Sequence, residues 1–94
     1  MGYVLSNKRE TDLALSLGLI LYYLDFYDAA IVFFEKSLIL YGQQAHVLFN
    51  VALCYYYTER FLESKSIVTK LIAENPENEV YNELWIILSK RRNE

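Results

Sequence analysis

Residues 11–44, TDLALSLGLILYYLDFYDAAIVFFEKSLILYGQQ, align without a gap with residues 45–78, AHVLFNVALCYYYTERFLESKSIVTKLIAENPEN, at a shift of 34 positions. Identical residues in the two copies are Leu19 and Leu53, Tyr22-Tyr23 and Tyr56-Tyr57, and Lys36 and Lys70. A repeat of this period is typical of stacked helical hairpins, in which each unit buries its apolar face against the next. It therefore predicts an all-α fold, and arrays of this kind usually bind other proteins.

Five helices are predicted from the apolar periodicity and from the residues that begin and end helices. Their expected bounds are about 6–24, 26–40, 43–57, 61–74 and 77–92. Asn7 followed by Glu10 resembles a capping box at the start of the first helix. Gly42 is expected to end the second helix in the left-handed conformation, and Pro76 prevents the fourth from continuing.

Small residues lie twelve positions apart in both copies: Gly18 and Ala30 in the first, Ala52 and Ser64 in the second. In an antiparallel hairpin these positions can meet where the helices cross, because the lack of bulk lets the backbones approach. Glycine inside a helix costs about 1 kcal/mol relative to alanine, so a packing reason is expected for Gly18.

The two copies resemble the tetratricopeptide repeat family. The resemblance is carried by Leu17, Gly18, Tyr27, Ala30, Phe34 and Ser37 in the first copy, and by Leu48, Val51, Ala52, Tyr55, Phe61, Ser64, Val68, Leu71 and Pro76 in the second. The first copy departs from the family pattern at Ala14, Leu21 and Gly42. The resemblance implies a right-handed superhelical stack of antiparallel hairpins, with a lead-in at 1–10, repeats at 11–44 and 45–78, and a capping helix with a basic tail at 79–94.

The resemblance also implies a concave peptide-binding groove lined by the first helix of each hairpin. The residues assigned to this groove are Leu15, Leu19, Tyr22 and Tyr23 from the first copy, and Phe49, Asn50, Leu53, Tyr56 and Tyr57 from the second. Residues at i, i+4 and i+7 share one helix face, so most of them form two apolar stripes. The alternative is that these side chains pack against the fifth helix or against each other. Asn50 alone matches the carboxylate clamp that one branch of the family uses, so clamping is not expected.

An apolar groove suits a hydrophobic peptide or an amphipathic helix, so the predicted function is non-enzymatic protein–protein interaction. One alternative is a self-assembling scaffold or homo-oligomer, because a hydrophobic fraction of 54% is hard to bury in 94 residues. A small secretion-type chaperone is another. A piece of a longer array is a further reading, because about three repeats are usually needed for stability.

Composition argues against other functions. The net charge of −3 disfavours nucleic acid as a ligand. With one histidine, His46, and one cysteine, Cys54, no catalytic pair, metal site or cofactor is predicted. The longest apolar stretch, 13–24, is shorter than the roughly 20 residues that span a bilayer. The N-terminus does not resemble a signal peptide, and the lone cysteine fits a reducing compartment, so a cytoplasmic location is predicted.

Overall fold

The computed structural model describes residues 12–91, which form five α-helices and contain no strand. The helices are α1 (Leu13–Tyr23), α2 (Tyr27–Tyr41), α3 (Ala45–Tyr57), α4 (Phe61–Glu74) and α5 (Glu79–Ser89). The predicted all-α class with five helices is confirmed. The predicted bounds of α2, α3 and α4 agree with the structure to within two residues, whereas α1 begins later and α5 ends earlier than expected.

The first helix begins at Leu13 rather than near Asn7. Asp12 has non-helical dihedral angles and caps α1, because its carboxylate accepts a hydrogen bond from the Leu15 backbone N–H at 3.1 Å. The same carboxylate accepts a hydrogen bond of 3.1 Å from the hydroxyl of Ser37, a buried residue of α2. A tertiary contact therefore fixes the start of the helix. The predicted capping box at Asn7 and Glu10 lies outside the described residues.

The hairpins α1–α2 and α3–α4 share one turn conformation at the 34-residue shift. The residue after each C-cap has a positive φ, 68° at Asp25 and 63° at Glu59. Its own N–H donates to the carbonyl three residues earlier at 3.0 Å in both turns. The following N–H donates to the carbonyl five residues earlier, at 2.9 Å in the first turn and 2.8 Å in the second. This pair of bonds is the Schellman motif, in which glycine usually occupies the left-handed position. The sequence repeat thus extends to the backbone.

Gly42 ends α2 with a positive φ of 95°, as predicted. Its ψ of 175° nevertheless places it in an extended region that is essentially restricted to glycine, and not in the left-handed helical region that the sequence predicted. The chain therefore leaves α2 in an extended direction towards α3.

Small residues lie at both helix crossings. A Cβ placed on Gly18 would come within 2.6 Å of the Phe34 ring, which supplies the three nearest atoms. In the second hairpin the Ser64 hydroxyl donates to the Ala52 carbonyl at 2.7 Å, and both residues are buried. The predicted meeting of Ala52 and Ser64 is confirmed, and Gly18 has the packing reason that the sequence suggested.

Two clusters of buried residues form the core. The first joins α2 to α3 and contains Ala30, Ile31, Phe34, Leu38, Val47, Val51 and Cys54. The second joins α3, α4 and α5 and contains Ala52, Val68, Leu84 and Leu88. Each helix packs mainly against its neighbours in the chain, and an ion pair between Arg60 and Asp28 also links the starts of α4 and α2.

Candidate functional site

The residues predicted for the groove differ in exposure. In the first copy, Leu15, Leu19 and Tyr22 are half-buried against the first core cluster, and in the second copy Phe49, Leu53 and Tyr56 are half-buried against the second cluster. Asn50 is half-buried, whereas Tyr23 and Tyr57 are exposed. The groove assignment stays a prediction for the nine residues as a set, and the last two are the most accessible of them.

Helix α5 accounts for part of the burial of the second stripe. The Phe49 ring lies 5.3 Å from the ring of Tyr81, a buried residue of α5. The core cluster beneath Phe49, Leu53 and Tyr56 includes two further residues of α5, Leu84 and Leu88. The second stripe therefore makes the contacts with the fifth helix that the sequence raised as an alternative.

Five tyrosines, Tyr22, Tyr23, Tyr27, Tyr56 and Tyr57, form a connected group of rings that we call the tyrosine cluster. It lies where α1 and α3 end and α2 begins. Tyr27 and Tyr57 stack with ring centroids 5.1 Å apart. Edge-to-face contacts join Tyr22 to Tyr23 at 5.5 Å and Tyr56 to Tyr57 at 5.3 Å, and Tyr22 lies 6.3 Å from Tyr57. The cluster brings together four of the predicted groove residues and spans both hairpins.

Hydrogen bonds and burial fix the inner members of the tyrosine cluster. The Tyr27 hydroxyl donates to the Asp25 carboxylate at 2.9 Å, and this bond raises the pKa of Tyr27. Burial, followed by the neighbouring Tyr57, raises the pKa of Tyr22 to about 12. Tyr22 and Tyr27 are therefore neutral at physiological pH and contribute aromatic faces and hydroxyl groups rather than charge.

The outer part of the cluster is open to solvent. Tyr23 is 76% exposed and Tyr57 is 49% exposed, although both rings contact other tyrosines. Leu24 and Phe26, which flank the first turn, are exposed as well. Tyrosine supplies large contact area with few rotatable bonds and a hydroxyl that can find a partner, properties that suit protein interfaces.

Arg91 lies beside the Tyr56 end of the cluster. Its guanidinium carbon is 4.8 Å from the centroid of Phe61 and 5.7 Å from that of Tyr56. The sequence predicted that the fifth helix continues to about residue 92, but α5 ends at Ser89 and Lys90 is its C-cap. Arg91 therefore leaves the helix and makes cation–π contacts, while Arg92 lies outside the described residues.

Tyr27 is the member of the cluster that was not predicted for the groove; from the sequence it was named only among the residues that carry the family resemblance. One sequence signal could have placed Tyr27 in the cluster. The Tyr22-Tyr23 and Tyr56-Tyr57 pairs align at the 34-residue shift, so Tyr22 and Tyr57 lie at the C-terminal ends of α1 and α3. Tyr27 begins the helix that lies between them, and that position brings its ring against both.

The described residues include one cysteine, Cys54, whose surroundings determine its reactivity. Cys54 is fully buried, and burial is the main cause that raises the pKa of its thiol to about 12, so it is a poor nucleophile. Within residues 12–91 no three or more His, Cys, Asp or Glu side chains are grouped so that they could hold a metal ion.

Residues 12–91 thus form five helices with an exposed aromatic cluster. Comparison of the chain with protein-family models, with curated proteins and with solved structures finds no match. None of α1 to α5 combines the length and the apolar content needed to cross a bilayer.

Proposed function

We propose that this protein is a non-enzymatic interaction module of the tetratricopeptide type, and that it binds an apolar peptide or an amphipathic helix. The shared Schellman turns and the repeated helical pairs support a stack of equivalent hairpins, for which we propose a right-handed superhelix. The single buried cysteine suits a reducing, cytoplasmic setting.

The exposed half of the tyrosine cluster is the observation that carries this proposal. Tyr23 and Tyr57 offer aromatic area to solvent, yet ring contacts already restrict their side chains. Side chains that are ordered before binding lose less conformational entropy when a partner arrives. Tyrosines in such a setting are frequent hot spots, each contributing about 2 kcal/mol or more to binding.

The position of the cluster favours a partner that lies across both hairpins. Tyr22 and Tyr57 belong to different hairpins and are joined by ring contact, so a segment covering one would also reach the other. An amphipathic helix would place its apolar side chains on the rings, and its backbone or polar groups could bond to the hydroxyls.

Substitution of the exposed tyrosines gives the sharpest test. A Tyr23→Ala, Tyr57→Ala variant removes the open aromatic surface and leaves the fully buried core residues in place. The control is Ile39→Ala, Leu62→Ala, which removes apolar side chains that are 81% and 64% exposed elsewhere on the molecule. Phe49 and Tyr56 are less suitable, because both pack against the cluster that contains α5.

Peptides would be selected on the native protein from a displayed library and measured against all three proteins by calorimetry. We expect the tyrosine variant to bind them at least roughly a hundredfold more weakly, as the loss of two hot spots implies, and the control to bind them like the native protein. Equal affinity for the tyrosine variant, with circular dichroism showing it folded, would remove the basis for the proposal.

A further inference from the structure

An exposed apolar stripe runs along α1 and ends at its C-cap, Leu24, which follows Tyr23 of the tyrosine cluster. Leu13, Leu17, Ile20 and Leu24, which we call the outer stripe, are between 41% and 64% exposed. Their spacings of four, three and four residues place them on one face of the helix. The half-buried residues Leu15, Leu19 and Tyr22 lie on the opposite face, so the outer stripe is separate from the predicted groove.

The 34-residue shift relates the outer stripe of α1 to the equivalent face of α3. The counterparts of Leu13, Leu17 and Ile20 on α3 are Val47, Val51 and Cys54, which are at most 3% exposed. They are buried because α2 packs over them, with Phe34 and its neighbours in the first core cluster. The equivalent face of α1 has no such cover among residues 12–91, so it is a helix-packing face left open.

The size of the side chains in the outer stripe argues against packing of a helix that resembles α2 over this face. In the α2–α3 contact, Phe34 and other large side chains meet the smaller Val47, Val51 and Cys54. Leu13, Leu17 and Ile20 are each bulkier than their counterparts on α3. A helix shaped like α2 would therefore overpack this face, and overpacking is destabilising.

The spacing of the outer stripe and its lack of charge indicate that the surface covering it is an apolar helix face with the same spacing. Alternate steps of four and three residues with leucine or isoleucine at each position form a short coiled-coil seam, which pairs with another such seam by knobs-into-holes packing. Residues 13–24 carry no charged side chain. Two copies can therefore meet along residues 13–24 without burying a charged side chain of that segment, although each chain carries a net charge of −3.

We propose that a second copy of this chain covers the outer stripe, so that two α1 helices pair antiparallel about a twofold axis. The antiparallel direction opposes the two helix dipoles and sets Leu17 of one copy against Ile20 of the other. This association uses a different face from the tyrosine cluster and does not depend on the function proposed above.

The test is the mass of the full chain, measured by size exclusion with light scattering from about 1 μM to about 1 mM, the range expected for a short seam. The native protein should approach twice 11.1 kDa at the upper concentrations. Leu17→Glu, Ile20→Glu should stay monomeric, since it would bury two charges per copy. Val32→Glu, Ile39→Glu, a control at exposed apolar positions on α2, should still dimerise.

Complementary single variants separate loss of the interface from loss of the fold. Leu17→Glu and Ile20→Lys should each dimerise poorly alone. Their mixture should dimerise, because the carboxylate introduced in one chain would face the ammonium group introduced in the other. An unfolded variant could not be rescued in this way. Hydrogen exchange of the native chain provides a second readout, with amides of α1 better protected at high concentration than at low.

Several results would overturn the proposal. A native mass of one chain at every concentration, with α1 exchange independent of concentration, would mean that the stripe is covered by other residues of the chain or by a different protein. A dimer that survives Leu17→Glu, Ile20→Glu would place the contact elsewhere, for example at the exposed Trp85 and Ile86 of α5. The Tyr23→Ala, Tyr57→Ala variant should keep the dimer, so failure of the groove proposal would be distinguishable.

Discussion

Replacing Gly18 with alanine would insert a methyl group into the crossing of α1 and α2. That methyl carbon would lie 2.6 Å from Cδ1 and 2.7 Å from Cε1 of Phe34, well inside the contact distance of about 3.5–4.0 Å between carbon atoms. The Phe34 ring is completely buried, so it cannot turn into solvent to make room. The helix or the ring must shift.

Two opposing effects set the size of the change. Alanine is favoured over glycine inside a helix by about 1 kcal/mol, and overpacking a core costs about 1–3 kcal/mol. Because three ring atoms fall inside contact distance, we expect a cost at the upper end of this range, so that the Gly18→Ala variant loses about 1–2 kcal/mol of unfolding free energy in total. Helix propensity considered alone would predict that Gly18→Ala raises the unfolding free energy.

The second hairpin supplies the matched control. Its counterparts of Gly18 and Phe34 are Ala52 and Val68, which are both fully buried in one cluster. Phe34→Val should cost about 2–3 kcal/mol by leaving a cavity. Adding Gly18→Ala to that variant recreates the alanine–valine pair and should then raise stability by about 1 kcal/mol or more, because the methyl enters the cavity.

Urea unfolding of the four proteins, followed by circular dichroism, measures this double-mutant cycle. The coupling free energy between the two positions should be about 2–3 kcal/mol, with opposite signs for Gly18→Ala in the two backgrounds. A stabilising effect of Gly18→Ala in the native background would refute the reasoning, as would the same sign in both backgrounds.

Three further predictions follow from the turns and the buried groups. Glu59→Gly should raise the unfolding free energy measured in urea by up to about 1 kcal/mol, because a left-handed residue with a Cβ is strained. Asp25→Gly should raise it less, since that variant also loses the hydrogen bond from Tyr27. Glu59→Ala is the control and should not raise it, because alanine keeps the Cβ. The pKa of Tyr22 is raised from 10.0 to about 12, so its stabilising contribution is complete below pH 10 and is lost as the pH rises through 12; Tyr22→Phe should flatten the fall of unfolding free energy in that window, and an unchanged slope would contradict the assignment. The pKa of Cys54 is raised from 9.0 to about 12, which lowers its thiolate fraction about a thousandfold; iodoacetamide should therefore label the native protein at least that much more slowly than the urea-unfolded chain, and comparable rates would show that the thiol is accessible.

The helices were predictable from the sequence because the repeat and the apolar periodicity agree, and these signals do not depend on distant contacts. The start of α1 was not. Ser6, Asn7 and Asp12 are all residues that cap helices well, and Asp12 is selected in the described chain by its bond to Ser37 on another helix. Local sequence could not distinguish among these candidates.

The conformation of the turns and the exposure of the groove residues also could not be predicted from the sequence. Glycine is the usual marker of a left-handed residue, and Asp25 and Glu59 carry no such signal. An apolar stripe has the same spacing whether it binds a partner or packs against a neighbouring helix. The half-burial of Phe49 beside α5 and the exposure of Tyr57 could therefore be distinguished only once the helices were placed.

Most of the packing is between helices that follow one another in the chain, and this has a consequence for how the molecule folds and unfolds. Most contacts run from α1 to α2, to α3, to α4 and to α5, so the chain closes mainly short loops as it folds. Such local topologies fold in roughly microseconds to milliseconds. Each terminal helix is held mainly on one side, whereas α2, α3 and α4 are held on two. Unfolding should therefore begin at an end and advance one helix at a time, and a protease would cut α1 or α5 before it reached α3.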